Sequence, residues 1–191
     1  MQQQTTEGQN NDRPAWIFFD IDGVLGNFDE HARQQGKVAA DGSIKYKELD
    51  EHWWATMPPY AGAKGFYEDA HKLGTVRFLT GPTLDEGSYS GKALWVQSFT
   101  GKGKISLKEL MIVHSESKQL VAAPNRILID DRIRNIHQWE AAGGIGIHHT
   151  GNFAETMKKL KEAVAKIDAA AKPAVPATRP QPVRHLSFKP R

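Results

Sequence analysis

The stretch Trp16-Ile-Phe-Phe-Asp-Ile-Asp-Gly-Val-Leu25 decides the fold of this chain of 191 residues. Its first four residues are apolar without alternation, which predicts a β-strand that is buried on both faces. The strand ends at two carboxylates, Asp20 and Asp22, and at a turn residue, Gly23. Carboxylates at the end of an apolar strand are costly to desolvate, and a divalent metal ion is the simplest compensation. The stretch therefore predicts a buried strand that leads into an acidic site.

Strands and helices are predicted to alternate on the C-terminal side of this stretch. Apolar runs predict further strands over residues 75–79, 109–113, 126–129 and 145–147. Helical spacing of apolar residues predicts helices over residues 61–73, 90–99, 133–142 and 153–171. This alternation is typical of an α/β fold of the Rossmann-like type, in which helices wrap a mainly parallel sheet.

The segment 27–60 is too long to be a simple connection between the first strand and the next core element. We expect it to form a small helical cap insertion over the site. The domain then spans residues 14–171. The polar residues 1–13 that precede it are expected to be disordered.

The basic character of the chain is concentrated in its tail, residues 172–191. The net charge is +3 and the pI is near 9.0, and the tail holds five of the 25 basic side chains and none of the 22 acidic ones. Residues 1–171 therefore have 20 basic and 22 acidic side chains, a net charge of −2. Five prolines favour an extended, flexible tail, which is either solvated or contacts a nucleic-acid backbone or an acidic partner.

The composition excludes several classes of protein. Cysteine is absent, so disulfides, thiolate metal sites and a cysteine nucleophile are ruled out. No stretch approaches the ~18 apolar residues of a membrane span, and the N-terminus is too polar for a signal peptide. We therefore expect a soluble, cytoplasmic protein that does not bind membranes. Any contact with nucleic acid is expected to involve only the basic tail.

Four of the predicted strands end in residues that are able to do chemistry. In chain order these are Asp20 and Asp22, Thr80, the loop Ser115–Lys118, and Asp130 and Asp131. The carboxyl ends of parallel strands lie at one edge of a sheet, where ligands bind, so these groups are expected to converge. Mg²⁺ takes carboxylate, carbonyl and water ligands, and a further carboxylate is able to attack phosphorus. The combination is what phosphoryl transfer requires.

The same motifs resemble those of the haloacid dehalogenase-like phosphatases. The matching segments are Phe19-Asp-Ile-Asp-Gly-Val24, Leu79-Thr80-Gly81, a downstream lysine and Ile129-Asp-Asp131. Within that superfamily the chain is most similar to the 5′(3′)-deoxyribonucleotidase family. That similarity depends on Phe18-Phe-Asp-Ile-Asp-Gly-Val-Leu25, Pro59-Tyr-Ala-Gly-Ala63, Lys92-Ala-Leu-Trp-Val-Gln-Ser-Phe-Thr-Gly101 and Leu128-Ile-Asp-Asp-Arg132. It covers residues 15–150 and is loose in the insertion.

The resemblance implies a role for each motif. Asp20 would be the nucleophile that attacks phosphate, and Asp22 would act as general acid and then as general base. The implied ligands of Mg²⁺ are Asp20, the main-chain carbonyl of Asp22, and Asp130, with Asp131 supporting them or exchanging roles with Asp130.

The resemblance also implies the groups that bind the substrate phosphate. Thr80 and the amide of Gly81 would hydrogen-bond the phosphate oxygens, and Lys118 would neutralise charge. Three other lysines are close enough in sequence to be alternatives to Lys118: Lys102, Lys104 and Lys108.

Aromatic residues of the insertion have two interpretations. Phe28, Trp53, Trp54 and Tyr60 either stack on a nucleobase or form the core of a small cap, and different members could serve each purpose. The pair His148 and His149 is interpreted as two surface histidines, because adjacent residues of a strand point to opposite sides.

The expected function is a Mg²⁺-dependent phosphatase that acts on nucleoside or deoxynucleoside monophosphates, small phosphomonoesters, through an aspartyl-phosphate. One alternative is a polynucleotide end phosphatase, which would share the core motifs. The other is a protein that keeps the phosphatase-like fold only for binding. The oligomeric state is left open, with a homodimer among the alternatives.

Overall fold

The computed structural model describes residues 15–104 and 108–171. The predicted disordered N-terminus at 1–13 and the predicted flexible tail at 172–191 lie outside these ranges. Within them, no helix combines the length and apolar character needed to cross a bilayer.

Five strands and six α-helices alternate along the described chain. The strands are β1 Trp16–Phe19, β2 Thr75–Thr80, β3 Leu110–Ile112, β4 Arg126–Asp130 and β5 Ile145–His148. The α-helices are α1 Phe28–Gln34, α2 Glu51–Ala55, α3 Ala63–His71, α4 Gly87–Thr100, α5 Ile133–Ala141 and α6 Phe153–Ala171. Two 3-10 helices cover Tyr46–Glu48 and Ser115–Val121. The second replaces the loop that was expected at Ser115–Lys118.

The five strands form one parallel sheet in the order β3-β2-β1-β4-β5. The predicted α/β class, a Rossmann-like parallel sheet flanked by helices, is confirmed. β1 lies at the centre, where Phe19 is level with Phe78 of β2 and with Ile129 of β4. Because the register is level, Asp20, the first residue beyond β1, lies beside Asp130, the last residue of β4.

Apolar side chains cover both faces of the sheet. Ile17 and Phe19 point into the larger core, which α3, α4 and α6 help to form, whereas Phe18 points into a second cluster with Leu128 and Trp139. All five of these side chains are buried. The strand that is apolar at every position is therefore buried on both sides, as its lack of alternation predicted.

The segment between β1 and α3 contains α1, the first 3-10 helix and α2. It has a small apolar cluster of its own, made of Ala32, Leu49, Trp53 and Trp54. The two ends of the segment are tied together, because Asn27 N donates to Pro58 O at 2.8 Å and Tyr60 N donates to Leu25 O at 2.9 Å. The segment therefore leaves the central strand and returns beside it.

Replacing Leu128 by alanine is expected to reduce the free energy of unfolding by about 3 kcal/mol, because a cavity remains in a closed core. Leu120→Ala removes the same atoms from a side chain that is 82% exposed, and is expected to cost less than about 0.5 kcal/mol. Urea unfolding of both variants measures the difference. Equal losses would contradict the placement of Leu128 between sheet and helix.

Candidate functional site

The candidate site lies at the carboxyl edge of the sheet, where β1, β2 and β4 end. Asp20 follows β1, Thr80 is the last residue of β2, and Asp130 is the last residue of β4. The Asp20 amide donates to Ile129 O at 2.9 Å, which continues the β1–β4 pairing past the end of the strand. Sheet register therefore brings together side chains that are far apart in sequence.

Three carboxylates form a cluster at this edge. Asp20, Asp130 and Asp131 each offer an oxygen atom, and these atoms lie within 4.8 Å of one another. Asp20 and Asp130 are buried, and Asp131 is half-buried. The carboxylate of Asp22, for which only the main-chain carbonyl is a predicted ligand, forms an ion pair with Lys92. The cluster could hold a metal ion.

Lys118 joins two of these carboxylates. Its buried ammonium lies 2.8 Å from Asp20 Oδ2 and 2.7 Å from Asp130 Oδ2. Burial lowers the pKa of Lys118 and the two carboxylates raise it, with a net rise above its ordinary value. Lys118 is therefore positively charged within the site. One of the alternative lysines, Lys102, instead pairs with Glu109 at 2.6 Å.

Asp130 is held in a fixed orientation. Asn135 Nδ2 lies 3.0 Å from both carboxylate oxygens, and the Arg132 amide donates to Oδ1 at 2.9 Å. These donors come from the start of α5, directly after the strand. The turn from β4 into α5 thus fixes a carboxylate that faces Asp20.

Asp131 has an oxygen that needs a partner. Its Oδ1 is buried and has no hydrogen-bond partner among the residues that the structure describes. Burial, and then the charges of Asp20 and Asp130, raise the pKa of Asp131 to about 7. A Cβ atom on residue 23 would lie 2.5 Å from the other carboxylate oxygen, Oδ2, so residue 23 must lack a side chain. A hard divalent cation fits this donor set, because it takes oxygen ligands and would satisfy the orphaned atom.

Lys92 is a site residue that the sequence analysis missed. Its ammonium is buried, donates to Thr80 Oγ1 at 3.2 Å and Gly81 O at 2.6 Å, and also donates to Asp22 Oδ2. A signal was present, because Lys92 lies three, four and seven residues before the buried side chains Trp95, Val96 and Phe99. A lysine on the apolar stripe of a helix indicates a buried charge.

The surroundings of Asp20 and Asp22 shift the pKa values of the two carboxyls in opposite directions. Burial raises the pKa of Asp20, but Lys118 and Lys92 outweigh it, so that the pKa falls below its ordinary value. Burial raises the pKa of Asp22, and although Lys92 opposes this, the charge of Asp20 adds to it, so that the pKa ends above its ordinary value. Two carboxyls whose pKa values are pushed apart are suited to different roles.

Thr80 and Gly81 lie against this pair. Thr80 is fully buried, and its hydroxyl contributes to the lowered pKa of the Asp20 carboxyl. A Cβ atom on Gly81 would lie 2.8 Å from Ser115 Oγ, so glycine permits the close approach of the second 3-10 helix to the end of β2. The structure therefore brings together Asp20, Asp22, Thr80, Gly81 and Lys118.

The predicted aromatic residues divide by burial. Trp53 and Trp54 are buried in the cluster of the insertion, and the face of Trp54 lies 4.5 Å from Lys92 Nζ. Phe28 and Tyr60 are half-buried, and Phe28 stacks on the exposed ring of Tyr46 at 6.3 Å. Phe28 and Tyr60 retain accessible surface, whereas the two tryptophans are enclosed.

The interpretation of His148 and His149 as two surface residues is wrong for His149, which is 2% exposed. Its Nδ1 donates to Thr156 Oγ1 at 2.8 Å, because α6 packs over the end of β5. His148 is half-buried, and its Nε2 donates to Asp131 O at 2.8 Å. The pair supports the fold and the main chain of Asp131.

Fold and site together define an α/β protein with a parallel sheet and a buried acidic cluster that could bind a metal ion. No protein-family model matches the chain, and no curated protein is similar enough to count as a relative.

The raised pKa of Asp131 predicts a pH-dependent stability. The carboxyl of Asp131 has a pKa of about 7 in the folded protein, against an ordinary value of 3.8. It therefore stabilises the fold while it is protonated, and this stabilisation is lost as the pH rises from about 4 to about 7. In EDTA, the free energy of unfolding is expected to fall over this range. Asp131→Asn is expected to reduce the fall, as measured by urea unfolding.

A divalent cation is expected to oppose this loss, because it binds the ionised cluster and not the unfolded chain. Excess Mg²⁺ at about pH 8 should raise the unfolding midpoint of the wild type and have little effect on Asp131→Asn. Asp69→Asn, which changes an exposed carboxylate of α3, serves as the control. Equal stabilisation of all three proteins would contradict a metal site at this cluster.

Proposed function

We propose that this protein is a Mg²⁺-dependent phosphatase of the haloacid dehalogenase-like type, acting on nucleoside or deoxynucleoside monophosphates. One observation carries the proposal. Two carboxyls separated by one residue have pKa values shifted in opposite directions, beside an acidic cluster and two buried lysines. An ionised carboxylate suits a nucleophile, and a protonated neighbour suits a general acid.

Magnesium would be held by Asp20, the main-chain carbonyl of Asp22, Asp130 and Asp131. The orphaned Oδ1 of Asp131 supports a direct role for this residue, whereas Asp130 already accepts hydrogen bonds from Lys118 and Asn135. When bound, the ion supplies charge neutralisation for the phosphoryl group and for the carboxylates that face it.

Asp20 begins the reaction. Its carboxylate attacks phosphorus in line, so that an O–P bond to Asp20 forms as the bond to the leaving alkoxide breaks. Asp22 gives its proton to that alkoxide. The Oδ2 atom of Asp22 is held by Lys92, and Oδ1 has no partner among the described residues, so Oδ1 is available to carry the proton.

The same two residues complete the cycle. Asp22, now ionised, takes a proton from water, and the water oxygen attacks phosphorus of the aspartyl-phosphate. The bond between phosphorus and Asp20 breaks, phosphate leaves and the Asp20 carboxylate is restored. Asp22 ends protonated, as its raised pKa favours.

Lys118 and the end of β2 stabilise the phosphate. Lys118 lies against Asp20 and would neutralise charge on nucleophile and phosphate together. Thr80 and the amide of Gly81 would donate hydrogen bonds to phosphate oxygens.

The accessible aromatic surface of the insertion supports a nucleotide substrate. Phe28 packs against the cluster of Trp53 and Trp54 and is half-buried, and its ring stacks on the ring of Tyr46, which is exposed. Tyr60 lies close enough to Asp131 for that carboxylate to contribute to its raised pKa, after burial and Asp29. A base attached to a phosphate in the site would meet these rings.

The decisive measurement is phosphate release from a panel of substrates in Mg²⁺ and in EDTA. The panel contains 5′- and 3′-mononucleotides, sugar phosphates, and oligonucleotides phosphorylated at either end. Turnover of mononucleotides is expected to need the metal and to be abolished by Asp20→Asn, which keeps the size of the side chain and removes the nucleophile. Asp69→Asn is the matched control and should retain activity.

Three results would count against the proposal. Turnover that survives both EDTA and Asp20→Asn would remove the mechanism. Activity confined to oligonucleotides would favour a polynucleotide end phosphatase. Nucleotide binding without turnover would favour a binding protein that keeps the fold.

Lys118→Gln is expected to lower kcat/KM about a hundredfold, because it removes a charge that opposes the developing negative charge in the transition state. Lys72→Gln, in an exposed pair with Asp69, is the control and should leave kcat/KM unchanged. A decrease of less than about threefold for Lys118→Gln would exclude the proposed role.

A further inference from the structure

The ammonium of Lys92 is enclosed by two kinds of partner. Its acceptors are Asp22 Oδ2, Thr80 Oγ1 and Gly81 O, which belong to the site. The ring of Trp54, with its centroid 4.5 Å from Nζ, belongs to the insertion. The three acceptors match the three N–H bonds of an ammonium, and the π-face supplies the remaining electrostatic contact.

Trp54 is itself held in place. Its Nε1 donates to Leu49 O at 3.2 Å, its ring meets the Trp53 ring edge to face at 4.9 Å, and it stacks on Phe28 at 5.7 Å. The side chain is 1% exposed. A ring that is enclosed in this way presents only a fixed face to Lys92 and has no free face for a nucleobase.

The helices that carry the two residues meet at a glycine. A Cβ atom on Gly91 of α4 would lie 2.5 Å from Trp54 Cβ and 2.6 Å from Glu51 O of α2. Glycine weakens the interior of a helix, so its presence at this position is explained by the close approach of α2. The distance between Trp54 and Lys92 is therefore set by backbone packing.

We propose that Trp54 is a positioning residue, whose indole face holds the Lys92 ammonium against Asp22 and the end of β2. The insertion thereby completes the catalytic machinery. This inference rests on the proposed function, in which Asp22 is the general acid and base. A residue of this kind supports the chemical step and contributes little to substrate binding.

The test compares two ways of disturbing the contact with two matched controls. Trp54→Leu removes the ring, and Gly91→Ala keeps the ring but displaces it. Trp95→Leu removes a buried indole one turn further along the helix of Lys92, and Gly65→Ala changes a helical glycine that has open space around it. Steady-state kinetics are measured on the best mononucleotide of the substrate panel.

Trp54→Leu is expected to lower kcat about thirtyfold, the rate equivalent of a desolvated cation–π contact, with KM changed less than about threefold. Gly91→Ala should lower kcat in the same direction. Trp54→Phe, which restores a π-face, should recover most of kcat. Both controls should keep kcat within about twofold of the wild type, because neither residue is among the partners of the Lys92 ammonium.

A second readout does not depend on activity. Protons that lie over an aromatic ring resonate upfield, so the signal of the Lys92 ε-methylene protons should lie apart from those of the exposed lysines. The signal is observed in protein with ¹³C-labelled lysine and is assigned by its absence from the spectrum of Lys92→Arg. Gly91→Ala and Trp54→Leu should move it back toward them. The wild-type spectrum alone shows whether the Lys92 signal is shifted, so this readout can be used even if Trp54→Leu fails to fold.

Defined results would overturn the inference. The first is a wild-type Lys92 signal that lies among those of the exposed lysines. The second is a Trp54→Leu variant in which KM rises and kcat is unchanged. The third is a Trp95→Leu variant in which kcat falls as far as it does in Trp54→Leu. If the wild type hydrolyses no phosphomonoester, the proposed function fails, and the lysine spectrum still decides whether Trp54 positions Lys92.

Discussion

Charge balance at the carboxyl edge of the sheet is the constraint on which this structure depends. Asp20 and Asp130 emerge level with each other from neighbouring strands, and two buried carboxylates so close would repel. Lys118 lies between them and offsets both charges. The second buried lysine, Lys92, does the same for Asp22. The sheet can therefore place acids at its centre without exposing the core to water.

The two lysines also give the two acids different properties. Burial raises the pKa of Asp20, but the charges of Lys118 and Lys92 outweigh it and favour the ionised form. Asp22 faces Lys92, but burial and the charge of Asp20 prevail, so that its pKa lies above its ordinary value. A difference of this kind arises from surroundings alone, since the residue types are identical and only one residue separates them.

Much of the fold could be predicted from sequence, because it depends on local pattern. The unbroken apolar run before Asp20 predicted a strand covered on both faces, and strand-helix alternation predicted the parallel sheet. The partners of buried charges were harder to predict, since they depend on register and helix crossings. Lys92 was missed because its acceptors lie 11 to 70 residues away in the chain. The burial of His149 was missed because it depends on how α6 packs over the end of β5, although its partner Thr156 is only seven residues away.

The insertion leaves the central strand and rejoins it through adjacent backbone hydrogen bonds at Asn27 and Tyr60. Because the two ends of the segment lie together, a segment of different length can replace it without a change in the sheet. The contact between Trp54 and Lys92 limits that freedom. A replacement segment must still present an aromatic face to the same lysine, so its length is free but its contact with α4 is not.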